Sequence, residues 1–485
     1  MSPQQADRNG LSVADGEMAL CVELPMLGFA IGVFLKQHLD GCIAPDKARG
    51  RAWVTDQAAK STTNVFGPQF NNATIHGSPV YNLNLSPEDP ESPVSSESSC
   101  SSSEDESDDI ATDTFQATYK GFDHTQKWYL QSGRAVEDVL YEAYFDPKLE
   151  PSILALLRDW IIDLGNETMM GWFSSDEQKE IKDSVPKLPA PSDLFAKSLE
   201  RFCGVRTTKD LRRVLRTTSE LPPDTEYNWD EHFDSEWADM VIRAFVVLFD
   251  TPGQPLCGSH LEDWYSSQIW SPILDKCFLS LPGMSLERKE SCCVATALRK
   301  NRNRIDTTMR AKSGPRLDGI IRTVEDDSYE YGGLEVARTF RGTSSTKWLD
   351  DSRKLIRALR DMLGRLHRLV DGDVEVVGKL QVVGIVTAGL ALQLCRLFNP
   401  HGYVCLLKRE KVHQVPSSVD KLQDLLLLLA YVVKIKGIIK ECVATVKGLR
   451  GVSSPEDLYK EIMNAGGSSP VRKAKATLPW PADSP

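Results

Sequence analysis

Two acids set inside neighbouring strands constrain this chain more than any other feature of its sequence. Residues 317–324 (LDGIIRTV) and 329–337 (YEYGGLEVA) both read as strands. The Glu325-Asp326-Asp327-Ser328 between them is turn chemistry, so the two should pair as a hairpin. Asp318 lies inside the first strand and Glu335 inside the second. A carboxylate buried in a strand is costly unless something compensates it. On paired antiparallel strands both acids can project from one face at one end of the hairpin.

The surrounding pattern is mixed. A helix is expected over 260–278, with Trp264, Ile269, Trp270, Ile273 and Leu274 as its apolar residues and Pro272 kinking or dividing it. After the hairpin comes a long amphipathic helix over 348–369, with Leu355, Ile356, Leu359, Met362, Leu363, Leu366 and Leu369 as its stripe. A strand near 382–387 follows. A second hairpin, 390–398 with 403–408, then turns through Asn399-Pro400-His401-Gly402. A last helix covers 418–446. Its apolar run 422–433 begins with Gln423 and Asp424 and is closed by Lys434 and Lys436, so it reads as a buried helix rather than a membrane span.

Two convergent carboxylates with water suit Mg2+ (or Mn2+), which prefers oxygen ligands and keeps several waters. Such an ion can activate water and offset charge on a phosphate in flight. A nearby Lys would help. The words HLEDWYSSQIW, ALRKNRNR, RLDGIIR, GLEVAR, TKWLDDSRKLIRALRDM and GYVCLLKR occur in this order over about 150 residues. In that order they resemble the PD-(D/E)XK nuclease superfamily. The nuclease-like domains of large fungal protein families are the nearest likeness. The resemblance implies an α+β or α/β restriction-endonuclease-like core, a central mixed sheet flanked by helices. It implies that Asp318 and Glu335 are the strand acids, and that Glu262 is the acid on the preceding helix, all three holding the metal. One departure stands out. The superfamily expects Lys two residues after the second acid, and Ala337 stands there. Lys347 and Lys354, seven apart and so on one helix face, are the substitutes, with Lys347 favoured because it lies nearer the helix N-terminus. The alternative for both acids is a surface ion pair with Arg316, Arg322, Arg338 or Arg341, which contributes little.

Between residues 288 and 316 stand nine basic residues, opposed only by Glu290 and Asp306. Arg299, Lys300, Arg302, Arg304, Arg310, Lys312 and Arg316 lead into the proposed site and suit phosphate contacts with nucleic acid, DNA above RNA. The same run also reads as a solvated loop, a nuclear localisation signal, or an intramolecular partner for an acidic tract.

That tract, 86–114, carries ten Ser and ten Asp or Glu with no Lys or Arg. It should be disordered, because it cannot bury enough apolar surface to offset its chain entropy. It is a possible protein-binding segment, and acids three residues after Ser101, Ser102 and Ser103 suit acid-directed phosphorylation. The Asn-rich stretch 61–84 is a flexible linker or a short self-stacking motif. The expected layout is an unassigned segment 1–60, a linker 61–120, a helical region 121–254, the nuclease-like domain 255–450 and a disordered tail 451–485.

The net charge of −11 argues against general coating of nucleic acid, though not against a local basic site. Eleven cysteines without a CxxC pair read as reduced thiols, and eight histidines show no zinc spacing. The stretch 19–35 is broken by Glu23 and Pro25, making it a poor signal peptide or span, so nucleus or cytoplasm is expected. Two functions follow: a metal-dependent nuclease, or a catalytically inactive nuclease-fold module that binds nucleic acid or protein in signalling or as an effector.

Overall fold

The hairpin forms as the alternation requires. In the computed structural model β3 (Arg316–Thr323) pairs antiparallel with β4 (Glu330–Ala337), Gly319 facing Leu334 and Ile320 facing Gly333. The structure describes residues 104–217, 226–304, 310–324, 329–370, 373–450 and 478–479. The readings made for 1–60, the Asn-rich stretch and most of the acidic tract lie outside these. From residue 105 onward the described chain belongs to one compact unit.

The first half is largely helical: α1 (Glu104–Lys120), α2 (Val136–Tyr144), α3 (Pro151–Arg158), strand β1 (Ile161–Asp163), α4 (Glu167–Met170), α5 (Ser175–Asp183), α6 (Asp193–Glu200), α7 (Thr208–Thr217) and α8 (Trp229–Asp250). Helix α9 (Glu262–Tyr265) widens into a π-helical segment, Ser266–Asp275, and closes as α10 (Lys276–Phe278). Then come β2 (Met284–Cys292), α11 (Val294–Lys300), β3, β4, α12 (Thr346–Leu369), α13 (Val374–Val377), β5 (Gln381–Ala388), β6 (Ala391–Phe398), β7 (Cys405–Arg409), β8 (His413–Gln414) and α14 (Leu422–Arg450).

The eight strands among the described residues make one mixed sheet, in the order β1-β7-β6-β5-β4-β3-β2, with β8 on β6. Only β4–β5 and β1–β7 are parallel pairs. The α12 crossover makes the first possible, since parallel neighbours need a long connection. Helix α12 lies on β4 and β5 through Leu355 and Leu359, both fully buried. Two glycines let it come close. A Cβ on Gly333 would stand 2.8 Å from Leu355 Cδ1, and one on Gly384 2.8 Å from Leu359 Cδ1. Helix α14 is buried through its first half, with Leu422, Leu425, Leu429, Val432 and Ile435 all at 0% exposure. Its Lys436 bonds Asp234 of α8 and Ser280, tying three segments together. No described helix is long and apolar enough to cross a membrane.

Four sequence expectations change. Strand β2, on the edge beside β3, was not expected: its Glu287, Arg288, Lys289 and Glu290 hide the apolar alternation, and a bulge shifts its register between Arg288 and Ser291. The region 121–254 is not purely helical, because β1 joins the sheet beside β7; three residues give too short a pattern to read. The acidic tract is helical from Glu104 on. Phe115, 2% exposed and stacked 4.6 Å from Trp160, anchors that helix. Pro272 does not divide the helix, which runs unbroken from Glu262 to Phe278. It sits inside the π-helical segment, and its carbonyl accepts the Trp237 indole N–H at 3.0 Å.

Candidate active site

Continuing the β3–β4 register by one residue sets Asp318 opposite Glu335, and directly opposed residues project from the same face. That face is the one α12 covers, as the Gly333–Leu355 contact shows. Asp318 Oδ2 accepts the backbone N–H of Val336 at 2.7 Å, which pins its carboxylate across the strand pair. Glu335 is 2% exposed. Burial pushes its carboxyl up to about 8; the Lys354 ammonium pulls it down, and the Asp318 and Asp351 charges raise it further.

Helix α12 supplies the cations. Lys354 Nζ stands 2.9 Å from Glu335 Oε1, an ion pair outside the angles of a directed hydrogen bond. Lys347, favoured from sequence, instead donates to Asp351 Oδ1 at 2.8 Å, an i,i+4 pair. Its position nearer the helix N-terminus directs it along the helix rather than to the strand. The Asp351 bond, with the charges of Asp351, Glu335 and Asp318, holds the Lys347 ammonium above its ordinary range despite its partial burial. Asp351 is the residue that sequence reading missed. It is buried, and its Oδ2 has no hydrogen-bond partner. Its place four residues after Lys347 and three before Lys354 was the available signal.

Glu262 is exposed at the start of α9. Its carboxyl is raised first by desolvation and then by the Asp318 charge, and Lys347 opposes both. The structure thus gathers Glu262, Asp318, Glu335, Lys347, Asp351 and Lys354 within one another's fields. It does not gather the acids to bonding distance of a common ion. Among the described residues no three His, Cys, Asp or Glu side chains could together hold a metal. The three-ligand set Glu262, Asp318 and Glu335 is therefore looser than expected, with Glu262 exposed on its helix and one Asp318 oxygen committed to Val336.

Asp318 and Glu335 set two carboxylates on one face of the paired strands. Mg2+ commonly takes one or two carboxylates and fills the rest of its shell with water. Four carboxylates here face two ammonium groups, and buried oxygens of Glu335 and Asp351 lack hydrogen bonds. Added positive charge would relieve both conditions.

The basic run divides. Arg302, Arg304, Arg310, Lys312 and Arg316 are exposed and Lys300 is half-buried. Arg299 is enclosed: its Nε donates to Asp361 Oδ1 at 2.7 Å, with both side chains buried, so its guanidinium is out of a ligand's reach. Asn301 fastens the base of the loop, exchanging both amide bonds with the Lys312 backbone at 2.6 and 2.9 Å. The eight described cysteines are free thiols.

No protein-family model, curated protein or solved structure matches this chain.

Proposed function

We propose that the chain is a divalent-metal-dependent nuclease-like protein of PD-(D/E)XK type that hydrolyses phosphodiester bonds in DNA. One observation carries the reading: an ammonium from α12, Lys354, stands on Glu335, where the missing strand Lys would otherwise act. The order of a helix, three antiparallel strands, a crossover helix and a strand parallel to β4 also agrees with the resemblance. Asp318 and Glu335 would hold Mg2+ or Mn2+. When bound, the ion stabilises charge on a phosphoryl oxygen and lowers the pKa of water. Lys354 Nζ would donate to the attacking water or to a non-bridging oxygen and so orient the reacting group. Arg316, two residues before Asp318 on the same strand, would contact an adjacent phosphate.

The test is cleavage of plasmid and single-stranded DNA with Mg2+ or Mn2+ by the wild type, Asp318→Ala and Glu335→Ala. Activity in the wild type alone supports the site, and equal activity in all three removes it.

A second reading has its own support. Lys354 already neutralises Glu335, and no three-acid metal group is assembled among the described residues. A chain that bound DNA equally well with and without Mg2+, and never cut it, would be a binding module that keeps the fold without turnover.

A further inference from the structure

Of the segment HLEDWYSSQIW, residues 260–270, the candidate site uses Glu262 alone. The same segment sets aromatic rings beside that acid. His260 and Trp264 stack across the start of α9, with ring centres 3.7 Å apart and planes 14° from parallel. The stack is braced. His260 Nε2 donates to the Pro255 carbonyl at 2.7 Å, and the His260 backbone N–H donates to the Tyr265 hydroxyl at 3.3 Å. The Tyr265 ring meets Trp264 edge-on at 5.3 Å. Both rings of the stack are only half-buried, and Leu261 beside them is 68% exposed.

Direct contacts place this surface at the end of β4. Arg338, three residues after Glu335, donates from its Nε to the His260 carbonyl at 2.9 Å. The Trp270 indole N–H donates to the Gly389 carbonyl at 3.0 Å, and the Gly389 N–H donates to the Ala337 carbonyl at 3.0 Å. At about 3.3 Å per strand residue, Arg338 lies about 10 Å beyond Glu335. Trp270 is fully buried and anchors the segment, whereas Trp264 and Leu261 leave apolar surface in water. A single exposed leucine is ordinary. One set against a half-open aromatic stack and a charged site suits a ligand that is flat at one end and anionic at the other.

We infer that the His260–Trp264 stack, flanked by Leu261, receives an unpaired base of the DNA strand whose phosphate lies at Asp318 and Glu335. The inference rests on the nuclease reading and gives it a substrate class, single-stranded DNA. Every base has a π-face, so such a platform tolerates any sequence. A duplex keeps its bases stacked inward, and drawing one out costs a few kcal/mol. With phosphates about 3.4 Å apart along a strand, the stacked base falls about three nucleotides from the scissile bond.

The experiment measures binding of the full chain to a labelled dT oligomer of about 12 nucleotides and to an oligomer of stable abasic residues of the same length. EDTA is present so that nothing is cut. The two oligomers carry the same phosphates and differ only in their bases. The wild type should prefer dT by about 5- to 150-fold, the worth of one stacked base. Trp264→Ala should lose that preference and keep the abasic affinity, and Trp264→Phe should retain most of it. Leu261→Ser, at an exposed position where folding is not at stake, should reduce it. No preference in the wild type overturns the inference, and so does a wild-type preference in Trp264→Ala or Leu261→Ser. Either result leaves the nuclease reading standing if Asp318→Ala still abolishes cleavage. A base-dependent loss without cleavage in any variant keeps the stacking site and sinks the catalytic reading.

Discussion

Lys354 Nζ lies 2.9 Å from Glu335 Oε1, so a helix delivers to the strand acid the cation that Ala337 does not provide. If this amine orients the reacting water, Lys354→Met should cut the initial cleavage rate by about 10²–10⁴-fold, the usual range for a positioned proton-handling group. Lys347→Met should cost less, since that amine is spent on Asp351. Initial rates in Mg2+ decide between them. A larger loss from Lys347→Met would hand the role back to Lys347.

Glu335 makes stability fall as pH rises. Its folded carboxyl is raised from 4.5 to about 8, so between these values the native state holds a proton that the unfolded chain has released. Stability then declines with pH across that window and levels off above it. The ceiling is a few kcal/mol, at about 1.4 kcal/mol per pKa unit. Melting curves from pH 5 to pH 8 should show the loss in the wild type and a flatter profile in Glu335→Gln. Added Mg2+ should raise the wild-type melting temperature more at pH 8, where about half of the carboxyl is ionised, than at pH 6, and leave Glu335→Gln unmoved. A wild-type profile as flat as that of Glu335→Gln would refute the perturbed carboxyl.

Much of this site was legible because its parts are long and periodic. The α12 stripe, the β3–β4 hairpin and the β6–β7 hairpin each repeat their pattern often enough to be read. Strand β1 has three residues and pairs with a strand far along the chain, so no local signal marks it. Strand β2 carries four consecutive charged residues because it lies at the sheet edge. At the site, the spacing of Lys347 and Lys354 gave the shared face, but not which amine reaches the strand. That choice depends on how far α12 slides along β4, a packing quantity absent from sequence periodicity. Arg299 reads in sequence like the rest of the basic run; only the depth of α11 against α12 separates it from its more exposed neighbours.

Gly333 sets the distance between α12 and the strand acids. Its substitution by Ala puts a methyl 2.8 Å from Leu355 Cδ1 and from Leu317 Cδ1. Overpacking of this kind costs about 1–3 kcal/mol. The helix can yield by moving outward, which draws Lys354 from Glu335. Gly333→Ala should therefore lose both stability in urea and cleavage, and the activity loss should persist at temperatures where the variant is fully folded. A variant as stable as the wild type would mean that α12 is not held as tightly as the structure has it.

Arg299 and Asp361 separate folding from binding. Both side chains are buried, so deleting one leaves an uncompensated charge in the interior. Arg299→Ala and Asp361→Ala should each destabilise by about 3–5 kcal/mol. Replacing both with apolar residues of similar volume, Arg299→Met/Asp361→Leu, should cost much less than either alone, because no charge is stranded. A basic residue that served nucleic acid would behave otherwise: its loss would weaken binding, leave stability alone, and not be rescued by a change at Asp361. Denaturation of the three variants, with the salt dependence of DNA binding in the folded double variant, tests this. Recovery of stability with an unchanged salt slope keeps Arg299 in the core. A reduced slope in the stable double variant would return it to the binding surface.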